Sequence, residues 1–204
     1  MRSNGDVTAG VAPRNDGSST PLLMTVGHGT LGSEELAELL GSAGVQLVVD
    51  IRSAPGSRRH PHFGREQMEG WLPAAGIGYR WERDLGGHRR PVVGSANTAL
   101  RHPAFRGYAD YMATEAFAAG LARLLADAAA RSTATMCAET LWWRCHRRLV
   151  ADAAVLLARA AVCHLGHDGR LSVHRVTEGA RVLEWEGTTR LVYDVDAAAG
   201  HGVA

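Results

Sequence analysis

Gln46-Leu47-Val48-Val49-Asp50-Ile51 is a short run, rich in valine at its centre and apolar except at Gln46 and Asp50. A strand without polar alternation is covered on both faces, which is the habit of a parallel sheet. On its N-terminal side, Leu22-Leu23-Met24-Thr25-Val26 is a second buried run, ended by Gly27. Between the two, Ser33 stands as a helix cap with Glu34 and Glu35 in the first turn. Leu36, Leu39, Leu40 and Ala43 then share one helical face, and Gly44 stops the helix. On the C-terminal side, residues 52–63 carry Pro55, Gly56 and Pro61 and read as a loop. A helix follows over about residues 65–75 on a Met68, Trp71, Leu72 stripe, then a strand over 77–81. Helices are predicted at 108–112 and 116–130, a strand at 133–137, a helix at about 145–159 with Leu149, Ala153, Leu156 and Leu157 inward, and a strand at 162–165.

Strand–helix alternation of this kind predicts an α/β three-layer sandwich with a mainly parallel sheet. From Gly169 the pattern changes to short alternating runs at 171–173, 181–185 and 190–193, a C-terminal antiparallel β extension. Residues 21–195 therefore read as one α/β domain, with the extension at 169–194. Residues 1–20 and 196–204 have no apolar period and read as a flexible leader and tail.

The chain has 204 residues, a formal net charge of +1, 46% hydrophobic and 21% charged residues. Those values exclude disorder over the whole chain. No apolar run approaches the roughly 18 residues of a membrane span, and the first residues lack a hydrophobic signal core, so a cytoplasmic protein is expected. All 22 basic residues are arginine. That excludes a Schiff-base lysine and a lysine-bearing phosphate loop, and leaves anions to arginine and backbone N–H groups. Cys137, Cys145 and Cys163 include no CxxC pair, so neither a disulfide framework nor a zinc cage is expected. Cys163, in an apolar run, reads as a small buried hydrophobe.

In parallel α/β folds ligands sit beyond the carboxyl ends of the strands, and those ends carry the chain's polar groups. His28 follows the first strand, and Asp50 and Arg52 end the second. Gly86-Gly87 lies beyond the third; Cys137 and Glu139, then Arg144-Cys145-His146-Arg147, lie beyond the fourth. Ten arginines fall between Arg52 and Arg106 against four acids. Arg52, Arg58 and Arg147 are the candidates to hold a phosphate or carboxylate, since guanidinium forks and free helix N–H groups can share one anion. Glu139 and Asp50, as acids at buried strand ends, are candidates for acid, base or nucleophilic work, with His28 assisting. Cys145, opening a helix among arginines, is placed for a lowered thiol pKa, and Cys137 is its partner candidate. Cys137, Glu139, Cys145, His146 and His28 are also of metal-ligating types. Their spacing matches no zinc pattern, so no cofactor is expected. Trp142 and Trp143 are adjacent, and an exposed one beside arginines can stack on a base.

Together these blocks resemble the DUF488 family: Thr25-Val26-Gly27-His28, residues 49–58, Leu85-Gly86-Gly87, residues 105–112, and Met136-Cys137-Ala138-Glu139 followed by Cys145-His146-Arg147-Arg148-Leu149. The resemblance spans about residues 23–166 and implies a fold and a motif set but no reaction. Gly27, Gly86, Gly87, Tyr108, Tyr111 and His146, which stand in those blocks, join the binding candidates. One departure is visible: family members often have Ser or Thr directly after the Gly-His pair, whereas here Gly29 intervenes before Thr30.

The reading that follows is an enzyme acting on a phosphate-bearing small molecule, a nucleotide or a nucleic-acid base, by hydrolysis or group transfer such as N-glycosyl cleavage. The alternative is a thiol-dependent transferase using Cys145 or Cys137, loosely similar to the rhodanese type. It lacks the compact Cys-x5-Arg cradle, because Cys137 precedes Arg144 by seven residues and Arg147 by ten. A third reading is a non-catalytic nucleic-acid binder. The expected partners are an anionic small molecule, a nucleotide or nucleic acid, and no membrane.

Overall fold

The computed structural model describes residues 22–56, 59–185 and 187–194; the expected leader and tail, and Arg58 among the site candidates, lie outside the described residues. Five strands run parallel: β1 (Leu22–Gly27), β2 (Leu47–Asp50), β3 (Gly78–Trp81), β4 (Thr133–Cys137) and β5 (Ala161–Leu165). A sixth, β6 (Leu171–Val173), pairs antiparallel with β5, giving the order β3-β2-β4-β1-β5-β6. β7 (Ala180–Trp185) and β8 (Thr188–Tyr193) form a separate antiparallel hairpin, turning at Gly187 with φ +74°. The fold is therefore α/β with a mainly parallel sheet and a C-terminal β extension. Leu171-Ser172-Val173 belongs to the main sheet and not to the hairpin.

The unbroken apolar strands feed two cores at once. In β2, Leu47 and Val49 enter one core and Val48 the other; in β1, Leu23 is set against Met24 and Val26 in the same way. The helices α1 (Ser33–Ser42) and α2 (Arg65–Ala74) complete the second core with Leu36, Leu40, Met68 and Leu72. The helices α3 (Pro103–Tyr111), α4 (Glu115–Ala130) and α5 (Arg147–Ala158) cover the opposite face with Tyr108, Phe117, Leu124 and Leu149.

Several helix ends differ from the sequence expectation for local reasons. The cap of α1 is Gly32, whose N–H donates to the Glu35 carboxylate at 2.6 Å; Ser33 is already helical. α3 begins earlier, at Pro103, whose fixed φ suits a first helical turn, and the His102 ring accepts the Ala104 N–H at 3.2 Å. α5 begins later, at Arg147, because Cys145 Sγ takes the Arg147 N–H at 3.5 Å and His146 is the cap. In α5 every residue from Leu149 to Ala154 is buried, while Leu157 is 36% exposed. The narrow inward stripe expected there is too narrow, since the hairpin packs on α5 as well.

In the sheet, Gly27 at the end of β1 lies opposite Cys137 at the end of β4. The chain leaves β1 for α1 on one face and β4 for α5 on the other. Chains that diverge from adjacent strand ends open a crevice between them.

Candidate functional site

Close approach at the crevice floor depends on Gly27. A Cβ there would stand 1.8 Å from the Glu139 carbonyl oxygen and 2.5 Å from Arg147 Nη1. With glycine in place, the Arg147 side chain, only 1% exposed, reaches across to β4. Its Nη1 donates to Cys137 Sγ at 3.2 Å and its Nη2 to the Thr140 carbonyl at 2.8 Å, while its buried Nε has no partner among the described residues. Cys145 Sγ lies 2.7 Å from Cys137 Sγ. Burial by itself raises a thiol. At Cys137 the hydrogen bond from Cys145, the charge of Arg147 and a backbone contact with Glu139 outweigh burial and bring the thiol below its usual value. At Cys145 burial and the neighbouring Cys137 act together and push it well up. The two sulfurs share one close contact in which either can be the donor, and the charge of Arg147 favours ionisation at Cys137 over Cys145. The surroundings favour ionisation of the strand-end thiol, whereas the sequence placed the helix-opening Cys145 for it.

Beside it, Asp50 is wholly buried and is held by four donor groups. Arg52 Nε (2.9 Å to Oδ1) and Nη2 (2.6 Å to Oδ2), the Arg52 backbone N–H (3.0 Å to Oδ1) and the Tyr79 hydroxyl (2.8 Å to Oδ2) all donate to it. A carboxylate so fully engaged is a scaffold for its guanidinium. What it leaves free is Arg52 Nη1, which points to His28 Nε2 at 3.4 Å. His28 donates its Nδ1–H to the Gly29 carbonyl at 3.0 Å and stacks on Phe63 at 4.1 Å between centroids. Burial and then the Arg52 charge push His28 down to about 4, so near neutrality it is an uncharged imidazole.

On the other side, His146 donates Nε2–H to the Ile51 carbonyl at 3.0 Å and turns Nδ1 toward Cys145 Sγ at 3.5 Å. Burial holds it down to about 4 as well. A Cβ on Gly87 would sit 2.9 Å from His146 Nδ1, so the Gly86-Gly87 loop packs directly on the imidazole. The Tyr108 and Tyr111 hydroxyls fix that loop by donating to the Leu85 and Asp84 carbonyls, each at 2.8 Å.

These groups surround a cavity of about 890 Å3. His28, Arg52, Gly87, Tyr108, Cys137, Glu139, Cys145 and His146 line it. Gly27, Asp50, Gly86, Tyr111 and Arg147 stand outside its lining and hold the lining in place. Glu139 is exposed and is the sole carboxylate on the wall among the described residues, where Arg52, Arg59 and Arg144 and five histidines also appear. Among the described residues no three His, Cys, Asp or Glu side chains gather as metal ligands.

A second polar cluster escaped the sequence reading. The carboxylate of Asp152, inside α5, accepts His174 Nε2–H at 2.8 Å, the Tyr193 hydroxyl at 3.0 Å and the Thr177 N–H at 2.9 Å. Beyond it, His164 Nε2 lies 2.9 Å from His174 Nδ1 and Thr25 Oγ1 lies 2.7 Å from His164 Nδ1, so the hydrogen-bonded chain runs from Asp152 back to β1. The available signal was an acid, Asp152, on the inward side of an otherwise apolar helix.

Comparison with curated proteins and with solved structures finds no match. A family model described as domain of unknown function DUF488 matches residues 33–154. The match takes in the Asp50–Arg52 strand end, the Gly86-Gly87 loop and both cysteines of the thiol pair, and stops short of His28 on one side and the hairpin on the other. The chain belongs to the DUF488 family.

Proposed function

We propose that the protein is a thiol-dependent enzyme that acts on an anionic substrate by group transfer or hydrolysis, with Cys137 as nucleophile. One observation carries this reading: two buried thiols in contact, one of them on a buried arginine, at the wall of a cavity otherwise rich in arginine and histidine. A lowered thiol pKa beside a cation is what makes a cysteine reactive near neutral pH. In the proposed cycle Cys137 Sγ attacks the electrophilic centre of the substrate, an S–substrate bond forms, and the leaving group departs with its electron pair. Water or an acceptor then attacks the same centre and returns Cys137 as thiolate. Arg147 stabilises the thiolate in the resting state and on its return. Arg52 Nη1 and Arg144 offer donors to the substrate's negative charge, and neutral His146 can take up a proton beside Cys145. The compartment that suits a free dithiol is a reducing one, so a cytoplasmic location is part of the proposal.

The carboxylate reading has less support. Asp50 is fully engaged with Arg52 and Tyr79, leaving Glu139 without a second acid on the wall.

Iodoacetamide kinetics test the proposal. Cys137 should alkylate at pH 7 at least tenfold faster than Cys163, whose thiol burial pushes up. In Arg147→Met the pH midpoint of that reaction should rise by about one unit or more, which is the loss of a partner worth about 1.4 kcal/mol. Alkylation of Cys163 ahead of Cys137, or an unchanged midpoint in Arg147→Met, would overturn the proposal.

A further inference from the structure

A second cavity of about 870 Å3 adjoins the first and shares His102, Phe105 and Trp143 with it. Its remaining wall comes from residues 98–101, from Trp142 and Arg148, and from Arg175 and residues 177–179 with Asp194. Three of its side chains are arginines: Arg101, Arg148 and Arg175. With Arg144 from the first cavity they make four guanidiniums around Trp143, and none has a carboxylate partner among the described residues. Arg148 lies over the Phe105 ring at 4.8 Å, and its buried Nε has no partner. Of the two acids on this wall, Asp194 is held by Arg181, which leaves Glu178 as the opposing charge.

The two tryptophans are divided in role. Trp142 stacks on His164 with centroids 4.0 Å apart and planes at 9°. Trp143 meets Trp142 edge-on at 90° and is 49% exposed, so it is the ring left to a ligand.

We propose that the two cavities form one groove for a single-stranded nucleic acid. Arg101, Arg148 and Arg175 take backbone phosphates, Trp143 stacks on a base, and the reacting nucleotide enters beside Cys137. Only that last clause rests on the function proposed above. Unpartnered cations spaced about an open aromatic ring are the elements of single-strand recognition, in which phosphates set affinity and stacking requires an unpaired base. A duplex is disfavoured, because its paired bases are not free to stack on Trp143. A lone mononucleotide would leave one of two adjoining cavities of this size empty.

The test uses the full chain and fluorescence anisotropy of a labelled octathymidylate across a salt series. Each phosphate contact on a single strand contributes a slope of about −0.7 in log K against log salt. Arg101→Ala with Arg175→Ala, both at exposed positions, should weaken binding at least tenfold and flatten the slope by about 1.4. Trp143→Ala should weaken binding about tenfold with the slope unchanged, and an abasic octamer should bind it as it binds wild type. Unchanged affinity and slope in the double arginine variant would overturn the groove. Equal wild-type affinity for the abasic chain and for octathymidylate would overturn the stacking and leave a plain polyanion surface. Iodoacetamide kinetics on the same variants separate the two proposals. An unreactive Cys137 with intact strand binding sinks only the thiol reading; a reactive Cys137 without strand binding sinks only the groove.

Discussion

Two polar clusters hang on α5, one at Arg147 and one at Asp152, and they are built on opposite terms. Around Asp152 both carboxylate oxygens are paired, one carboxylate orders three elements, and Asp152, His174 and Tyr193 are buried, with the Thr177 hydroxyl as the one orphan at the edge. Around Arg147 the accounts are left open: at the charged group itself an orphaned Nε, beside it two thiols in contact, and a cavity next to both. A satisfied buried network specifies a fold. A buried group left incompletely paired calls for an explanation, and a cavity lined with cations supplies one. The difference teaches where to look for chemistry in this molecule. Burial of the central charge is similar in the two clusters, and the pairing of that charge, complete at Asp152 and incomplete at Arg147, separates them.

The largest effect should come from breaking the closed cluster. Asp152→Ala strands the His174 and Tyr193 donors and the Thr177 N–H, and should cost about 3–5 kcal/mol. That corresponds to a fall on the order of 10 °C in melting temperature. Calorimetry showing a shift below about 2 °C would erase the contrast.

An intermediate effect should come from pH, and it touches both clusters. Burial, with the nearby His174 and then Arg147, holds His164 down to about 3, and His28 and His146 are held to about 4, against an ordinary 6.5. Between those values the unfolded chain takes up protons that the folded chain refuses. Stability is therefore full above about pH 6.5 and falls as pH drops toward 4. Thermal melts from pH 7.5 to 4.5 should show that decline, with part of the slope missing in His28→Asn. A flat wild-type profile would mean the imidazoles are not desolvated.

The smallest effect on stability should come from the open cluster's own acid. Glu139 is exposed and has no ion-pair partner among the described residues. Glu139→Gln should stay within about 0.5 kcal/mol of wild type. A larger loss in denaturant titration would move Glu139 into the scaffold with Asp50.

Much of the frame was legible because parallel strands write their burial plainly. Leu47-Val48-Val49 could serve two cores at once only as an interior strand, and once the sheet was parallel its polar strand ends had to share one edge. What stayed hidden depended on reach and not on pattern. Which thiol ionises is set by Arg147 passing over Gly27, a contact no spacing displays. Asp50 read as chemistry because its four donors, including Tyr79 from another strand, are not neighbours in the chain. The second cavity is assembled from residues near 100, 145 and 177, and Asp152 hid inside a helical stripe that already accounted for its neighbours.

The hairpin gives the Asp152 cluster a history as well as a geometry. Tyr193 accepts the Ala99 N–H at its carbonyl, donates its own N–H to Asn97 Oδ1, and closes on Asp152 through its hydroxyl. β7 and β8 can pair locally on the microsecond scale of hairpins, but their docking joins segments more than ninety residues apart. Contacts of such separation form late and slowly. During synthesis α5 emerges before residues 174–193, so for that interval Asp152 waits without His174, Thr177 and Tyr193. The sheet core and the thiol corner can be in place while the molecule's most complete network is still unmade.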